Sequence, residues 1–257
     1  MRSFKTIAEA LKEVQRDLRQ RGETVVCKTY QDKELKGDDK NVKEIIGYSY
    51  VVLNPTVGHE DAVKVLYTDP EKAKQIIDYI DVEFMDRTSG IALNPGHSYK
   101  VRADMWMKFL KDNGENLRFS YTYPERIWGN DQMNTVLNTL RKDKGTRQAV
   151  LEIWQNDKDN NPEKLGGGQR VPCSMFYWFC IRHDGLSGLD KLHCIYNMRS
   201  NDLYGHHTID IILAAKLQEW VCQRLQDTYP GLVVGTLKYE CESLHAFQWD
   251  LKERVVF

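Results

Sequence analysis

Cys173 is the first residue with chemistry to offer, because it stands in RVPCS, after a glycine-rich loop (166–168) and at the head of a stretch that reads as a strand. Alone, a cysteine beside a strand is a small buried hydrophobe. Its company changes that reading. Arg170 lies three residues upstream, and the segment NMRSND (197–202) follows the next hairpin. Nearby guanidinium charge favours the thiolate, and the thiolate is the nucleophile. Arg199-Ser200-Asn201-Asp202 sets an arginine beside a hydroxyl at a turn, which suits a phosphate, since a guanidinium donates two parallel hydrogen bonds. Spacing alone favours a helix-capping turn with a surface salt bridge. His206 and His207 raise a metal site, but no third ligand follows at recognisable spacing, so they read as a solvated or packed pair. His245, in SLHAF, suits either a satisfied core position or a contact to a sugar hydroxyl.

The elements that must position these residues are legible from hydrophobic spacing. Ile7, Leu11, Val14 and Leu18 fall on one helical face. The run IIGYSYVVL (45–53) reads as a strand, and the polar stretch 30–43 before it as an exposed loop. Residues 70–86 carry helical spacing behind Asp69-Pro70. Residues 131–141 form a further helix with Asp131 as its natural cap. Strands are expected over 148–155, 174–183 and 191–198, the last two forming a hairpin across DGLSGLD. From Ile209 to Leu225 the chain is apolar nearly all round, as a helix in the middle of a domain would be. A last strand runs from Leu237 to Ala246. Strands and helices mixed without strict alternation give an α+β fold, a mixed sheet packed with helices, in a single domain over residues 1–257.

Composition narrows the function classes. Lys plus Arg total 36 against 37 Asp plus Glu, so the net charge of -1 argues against stable nucleic-acid binding and leaves room for a local phosphate pocket. No apolar stretch has the length of a membrane span. The N-terminus lacks a signal-peptide core, and the six cysteines (27, 173, 180, 194, 222, 241) include no CxxC pair, so they read as reduced thiols in the cytoplasm.

Taken in order, VVCKT, EIIGYSYVVLNP, YTYPERIW, DQMNTVLNTLRKDKGTRQAVLEIW, RVPC, NMRSND and SLHAF resemble the thymidylate synthase superfamily, and within it the bacteriophage deoxycytidylate hydroxymethylases. The resemblance implies a sheet that forms a homodimer interface, a pyrimidine nucleoside monophosphate as substrate and 5,10-methylenetetrahydrofolate as cofactor. It makes Cys173 the nucleophile toward ring carbon 6, and Arg199 with Ser200 the phosphate pair. Lys28 matches a basic residue of the phosphate-binding loop. Arg147 matches the first of two arginines that cross to the partner's phosphate; the second is Gln148 here. Tyr121 matches a tyrosine of the site wall, and Asp202 the acid whose amide lies near the base carbonyl. His245 matches the histidine at the sugar 3′-hydroxyl, where its tyrosine companion is Phe247. Trp178 stands where the family usually has Gln.

Asp210 is the most informative position. Eleven residues after Arg199, thymidylate synthases carry an Asn that reads uracil, whereas this chain, like the hydroxymethylases, carries Asp. A carboxylate accepts from the amino group of cytosine and can exchange a proton with the adjacent ring nitrogen. The family glycine of this turn appears as Gly205, one residue early. The catalytic acid is either Asp81, by spacing to Phe84, or Glu83, by residue type; the two do not share a helix face, and chemistry leans to Glu83. The expected activity is hydroxymethylation of dCMP. A cytidylate methylase, a thymidylate synthase acting on dUMP and an inactive nucleotide- or RNA-binding protein are the alternatives.

Overall fold

Burial, rather than local propensity, decides where each strand lies. In the computed structural model, which describes residues 1–30, 33–112, 116–161 and 170–253, the scaffold is one mixed sheet. The N-terminal part supplies β1 (Arg2–Phe4), α1 (Ile7–Arg21) and β2 (Glu23–Val26). The two-residue strands β3 (Thr29–Tyr30) and β4 (Lys33–Glu34) pair with each other, and the long β5 (Asn41–Val52) follows. Thus β5 starts inside the stretch expected to be an exposed loop, because Asn41–Lys43 pair with β2 on one side. α1 is capped by Thr6, whose side chain accepts the Glu9 N–H, and Ile7, Leu11, Val14 and Leu18 are its fully buried stripe.

Next come α2 (His59–Leu66) and α3 (Pro70–Thr88), the latter capped by Asp69, which accepts from the Lys72 amide ahead of a first-turn proline. α4 (Ala103–Trp106) precedes the small pair β6 (Lys111–Asp112) and β7 (Leu117–Arg118), and then α5 (Tyr123–Trp128) and α6 (Gln132–Lys142). Asp131 does not cap α6. It sits at φ 55° with no side-chain bond to the helix amides, and its Oδ1 instead accepts from the Asn134 side chain. β8 (Val150–Glu152) covers only the middle of the expected 148–155 strand, because the Gln148 amide bonds the Thr146 hydroxyl and the Ile153 and Trp154 amides converge on Met175 O. The short α7 (Asn156–Asp159) is tied to α5 by a buried ion pair, Arg126 to Asp159, at 2.7 Å. The glycine-rich 166–168 lies outside the described residues.

β9 (Ser174–Asp184) and β10 (Leu189–Met198) form the expected hairpin, followed by β11 (Asn201–Asp202), α8 (Thr208–Arg224), β12 (Val233–Phe247) and α9 (Gln248–Glu253). The sheet order is β1-β5-β12-β10-β9-β8, with β2 beside β5 and β11 beside β12. β12 runs parallel to β10 and antiparallel to β5, so the sheet is mixed and the fold α+β. α8 is buried on almost every side, as its all-round apolarity requires.

Register puts two contrasting rows across the same strands. On the helix-covered face, Tyr50, Tyr239, Tyr196 and Tyr177 are successive partners, all buried, with ring centroids 5.2, 6.1 and 4.4 Å apart. On the other face, one residue along, Val51, Lys238, Ile195, Trp178 and Val150 form a row that stays partly exposed and that, among the described residues, no helix covers. Among the described residues no helix is long and apolar enough to cross a membrane.

Candidate active site

A cleft of about 470 Å³, its open mouth included, lies between α3, α4 and the segment leading into α5. Glu83, Ser98, Tyr121, Tyr123 and Arg170 are in its wall, with Tyr79, Tyr99, Trp106 and Phe119 as an aromatic side. The α5 capping box positions Tyr121 and Tyr123: Thr122 Oγ1 accepts the Glu125 amide, while Glu125 accepts the Thr122 amide. Tyr121 is the common neighbour of the groups singled out from the sequence. Burial first, then the fields of Arg170, Cys173, Arg199 and Asp210, act on its hydroxyl, which is pushed up to about 12.

Cys173 sits where the chain enters β9, next to the end of β10. The Arg199 amide donates to Cys173 O at 2.9 Å, and Arg199 Nη2 and Ser200 Oγ each stand 3.8 Å from the Cys173 sulfur. Arg199 also donates to the backbone oxygens of Pro172 and Val171. It therefore fixes the approach to the thiol as well as lying beside it. Arg170, expected to serve the thiol, is engaged elsewhere: its guanidinium lies 4.6 Å from the Trp106 ring centroid, 4.8 Å from Phe109 and 5.7 Å from Tyr121.

α3 separates the two acid candidates. Asp81 faces outward and pairs with Lys216 at 3.2 Å, its side chain 56% exposed. Glu83 is buried in the cleft wall, accepting from Arg87 Nε at 2.8 Å and from Ser98 Oγ at 2.6 Å. Arg87, which the sequence reading did not single out, is buried, and its guanidinium stacks 3.8 Å over the Tyr123 ring. Its signal was the Glu-x-x-x-Arg spacing on a helix whose face turns inward. From Tyr123 a hydroxyl chain continues through Ser174, at 2.8 Å, to Tyr196, at 2.5 Å.

Asp210, in the first turn of α8, is buried and faces this cluster. Burial raises its carboxyl to about 7; Arg87 and a hydrogen bond from Asn201 oppose that, and Glu83 reinforces it. A π turn over Leu203–His207 precedes α8. Gly205 lies inside this turn. A Cβ on Gly205 would overlap the Asp202 carboxylate, which accepts the Tyr204 amide. Asn201 is buried, and its Nδ2 donates to the Tyr239 hydroxyl.

The two histidines of the turn have different surroundings. Burial lowers both to about 3, so they are neutral. His207 lies between the Tyr50 and Tyr239 hydroxyls at 3.0 and 3.1 Å, while the His206 ring stands 5.7 Å from Trp106. His245 bonds Ser243 O at 3.3 Å and meets the edge of Phe247. Phe247 itself is only 2% exposed and stacks on Trp249, so it acts as packing behind His245 and offers no face to a ligand. Lys28 and Arg147 are exposed, away from the cleft lining; the Arg147 carbonyl accepts from Trp178 Nε1 at 2.9 Å.

A concave, aromatic-walled cleft with a buried glutamate in its wall, acting on the raised carboxyl of Asp210, is the architecture of an enzyme site. The thymidylate synthase family model matches residues 92–252, and the chain belongs to that family. It is 30% identical over 138 residues to a putative thymidylate synthase of Methanopyrus kandleri, covering 52% of this chain and 58% of that protein. It is 24% identical over 144 residues to a deoxyuridylate hydroxymethyltransferase of Pseudomonas phage M6, covering 55% of this chain and 37% of that protein. The match thus spans less than two thirds of either relative. The fold is similar to that of the thermostable thymidylate synthase A from Bacillus subtilis, with a TM-score of 0.61 at 15% identity, over 98% of this chain and 86% of that one.

Proposed function

We propose that this chain transfers a folate-borne one-carbon unit to carbon 5 of a cytosine nucleotide, converting dCMP to 5-hydroxymethyl-dCMP. The observation that carries the reading is Asp210: a carboxyl buried in the first turn of α8 and raised by that burial to about 7, with Arg87, Glu83 and Asn201 also acting on it. In its protonated form it donates to ring nitrogen 3 and accepts from the exocyclic amino group, a pairing that fits cytosine. Once ionised, it would set a negative oxygen against the uracil carbonyl.

The residues divide the work as follows. Arg199, Ser200 and Lys28 hold the phosphate, assisted by the partner subunit's Arg147 across a homodimer interface. Asn201 and Asp202 form the turn against the base, and His245 meets the sugar. The Cys173 thiolate forms a bond to carbon 6; the displaced pair moves through carbons 5 and 4 onto nitrogen 3, which takes the Asp210 proton. Carbon 5 is then nucleophilic. The aromatic side of the cleft, Tyr79, Tyr99, Trp106 and Phe119, suits a flat heterocycle, and methylenetetrahydrofolate bound there supplies the one-carbon unit. Glu83 positions the water that completes the hydroxymethyl group, and Tyr121 closes the wall beside the thiol. The uncovered sheet face with Trp178 and Ile195 serves as the dimer surface. All six cysteines are free thiols, which fits the reducing cytoplasm.

A uracil nucleotide with the same carbon 5 chemistry is the second reading, favoured by the name of the phage M6 relative. The test is a mass spectrum of nucleotides after incubation with methylenetetrahydrofolate and equimolar dCMP, dUMP and CMP. A hydroxymethyl group on dCMP alone supports the proposal. The same group on dUMP moves the reading to uracil, a methyl group moves it to methylation, and no product overturns it.

A further inference from the structure

Ser174, the residue after Cys173, is fully buried, and its hydroxyl joins two others, Tyr123 at 2.8 Å and Tyr196 at 2.5 Å. The chain does not stop there. Tyr196 and Tyr177 are direct partners across the β9–β10 hairpin. Their rings lie parallel with centroids 4.4 Å apart, and their hydroxyls are hydrogen-bonded. Beyond Tyr177 stands Arg87, 2% exposed, whose Nη1 donates to the Tyr177 hydroxyl at 3.4 Å. Four hydroxyls thus lead from a buried guanidinium on α3 to Tyr123, which lines the cleft.

A hydroxyl has one proton to give and lone pairs to receive, so a row of them runs in one of two directions. A guanidinium only donates. Arg87 occupies a lone pair of Tyr177, and a Tyr177 proton turned back toward it would meet a positive charge. Tyr177 therefore gives its proton to Tyr196, Tyr196 to Ser174, and Ser174 to Tyr123. Bonds in such a row polarise one another, so the bias at one end reaches the other. Tyr123 keeps its own proton, and among the described residues Ser174 is the one hydrogen-bond partner of its hydroxyl. Burial raises that hydroxyl well above its ordinary value, so it stays a donor at neutral pH. The same guanidinium, 3.8 Å over the Tyr123 ring, holds the ring in place.

We infer that Arg87 directs this hydroxyl chain so that Tyr123 presents its proton to the cleft, where it reads a carbonyl oxygen on a bound heterocycle. Arg87 is the positioning residue, and Tyr123 is the group that meets the ligand. The pyrimidine and the pterin of folate both carry such an oxygen. Naming those two ligands rests on the function proposed above; the direction of the chain does not.

Neutron diffraction from the perdeuterated, ligand-free protein reads that direction without any substrate. The expected map places the Tyr177 deuteron toward Tyr196, the Tyr196 deuteron toward Ser174, the Ser174 deuteron toward Tyr123 and the Tyr123 deuteron into the cleft. The reverse order would overturn the inference. Calorimetry then reads the ligand, with dCMP and tetrahydrofolate titrated separately. Tyr123→Phe keeps the ring and its contact with Arg87, and should weaken one of the two ligands about tenfold, as loss of one hydrogen bond does. The ligand affected identifies the carbonyl. Tyr177→Phe keeps the stack on Tyr196 but cuts the chain from Arg87, and should weaken the same ligand by a smaller factor, about threefold. Equal weakening of both ligands, as general damage to the cleft would give, or an unchanged affinity in either variant, would overturn the inference. A wild type that binds neither ligand, with the deuterons in the expected order, would count against the function proposed above and leave the direction of the chain standing.

Discussion

Arg199 is bound to Cys173 twice over: its amide donates to the Cys173 carbonyl at 2.9 Å, and its Nη2 lies 3.8 Å from the sulfur. The thiol and the proposed phosphate pair are thus one rigid unit at the junction of β9 and β10. The consequence is a separable phenotype. Cys173→Ser should lower kcat by at least about 10³-fold, because a hydroxyl without an activating base is a poor nucleophile. Nucleotide affinity, measured by calorimetry, should stay within a few-fold, since Arg199 and Ser200 remain. Loss of both together would mean that the sulfur is a packing element.

The raised Asp210 carboxyl has a stability consequence with a definite sign. Its folded value, about 7, lies above the ordinary aspartate value of 3.8, so between those limits the folded state holds more protons than the unfolded one. Stability therefore falls as pH rises through this window, and the full cost, on the order of a few kcal/mol, applies above it. Asp210→Asn removes the ionisation. Its melting temperature should exceed that of the wild type at pH 8, and the advantage should shrink at pH 5. The same variant should lose preference for cytosine over uracil in competition assays; retained preference would place the base reader elsewhere.

Gly205 is a steric requirement of the π turn. Gly205→Ala should drive a methyl group into the Asp202 carboxylate and lower stability by about 1–3 kcal/mol, read from a denaturant midpoint. Asp202→Ala should relieve most of that loss in the double variant, at the cost of the bond to the Tyr204 amide. A neutral Gly205→Ala would show that the turn can shift.

The proposed dimer gives a complementation test. Arg147 is exposed in its own subunit, and its backbone is held by Trp178 on the uncovered face. If Arg147 serves the partner's phosphate, mixing Cys173→Ala subunits with Arg147→Ala subunits creates hybrids with one fully intact site. Random mixing makes half the dimers hybrids, so activity should recover to about a quarter of the wild type. No recovery, in mixtures shown to exchange subunits, would place Arg147 in its own subunit's chemistry or outside it.

The sequence made much of this legible where burial imposes a period. The stripe of α1, the all-round apolarity of α8 and the β9–β10 hairpin around DGLSGLD were readable because each is a local pattern with one physical cause. Residues whose roles depend on contacts distant in the chain were not. Asp131 has the type of a cap but adopts a left-handed conformation that aims it away from the helix amides. Phe247 was placed among ligand contacts by its neighbour His245, yet packing on Trp249 claims its ring. The choice between Asp81 and Glu83 needed the rotation of α3 about its axis, which the third dimension supplies through Lys216 on one side and Ser98 on the other. Arg87 was hidden because an i,i+4 Glu–Arg pair ordinarily marks a solvated face.

The central claim is that the Cys173 sulfur bonds carbon 6 of a pyrimidine nucleotide during one-carbon transfer at carbon 5. Its most direct test is intact-protein and peptide mass spectrometry after incubation with methylenetetrahydrofolate and 5-fluoro-dCMP, whose fluorine cannot leave as a cation and so traps the adduct. The expected result is a stoichiometric adduct of nucleotide and folate on the peptide containing Cys173, absent in Cys173→Ala. An unmodified protein, or an adduct that persists in Cys173→Ala, would contradict the claim.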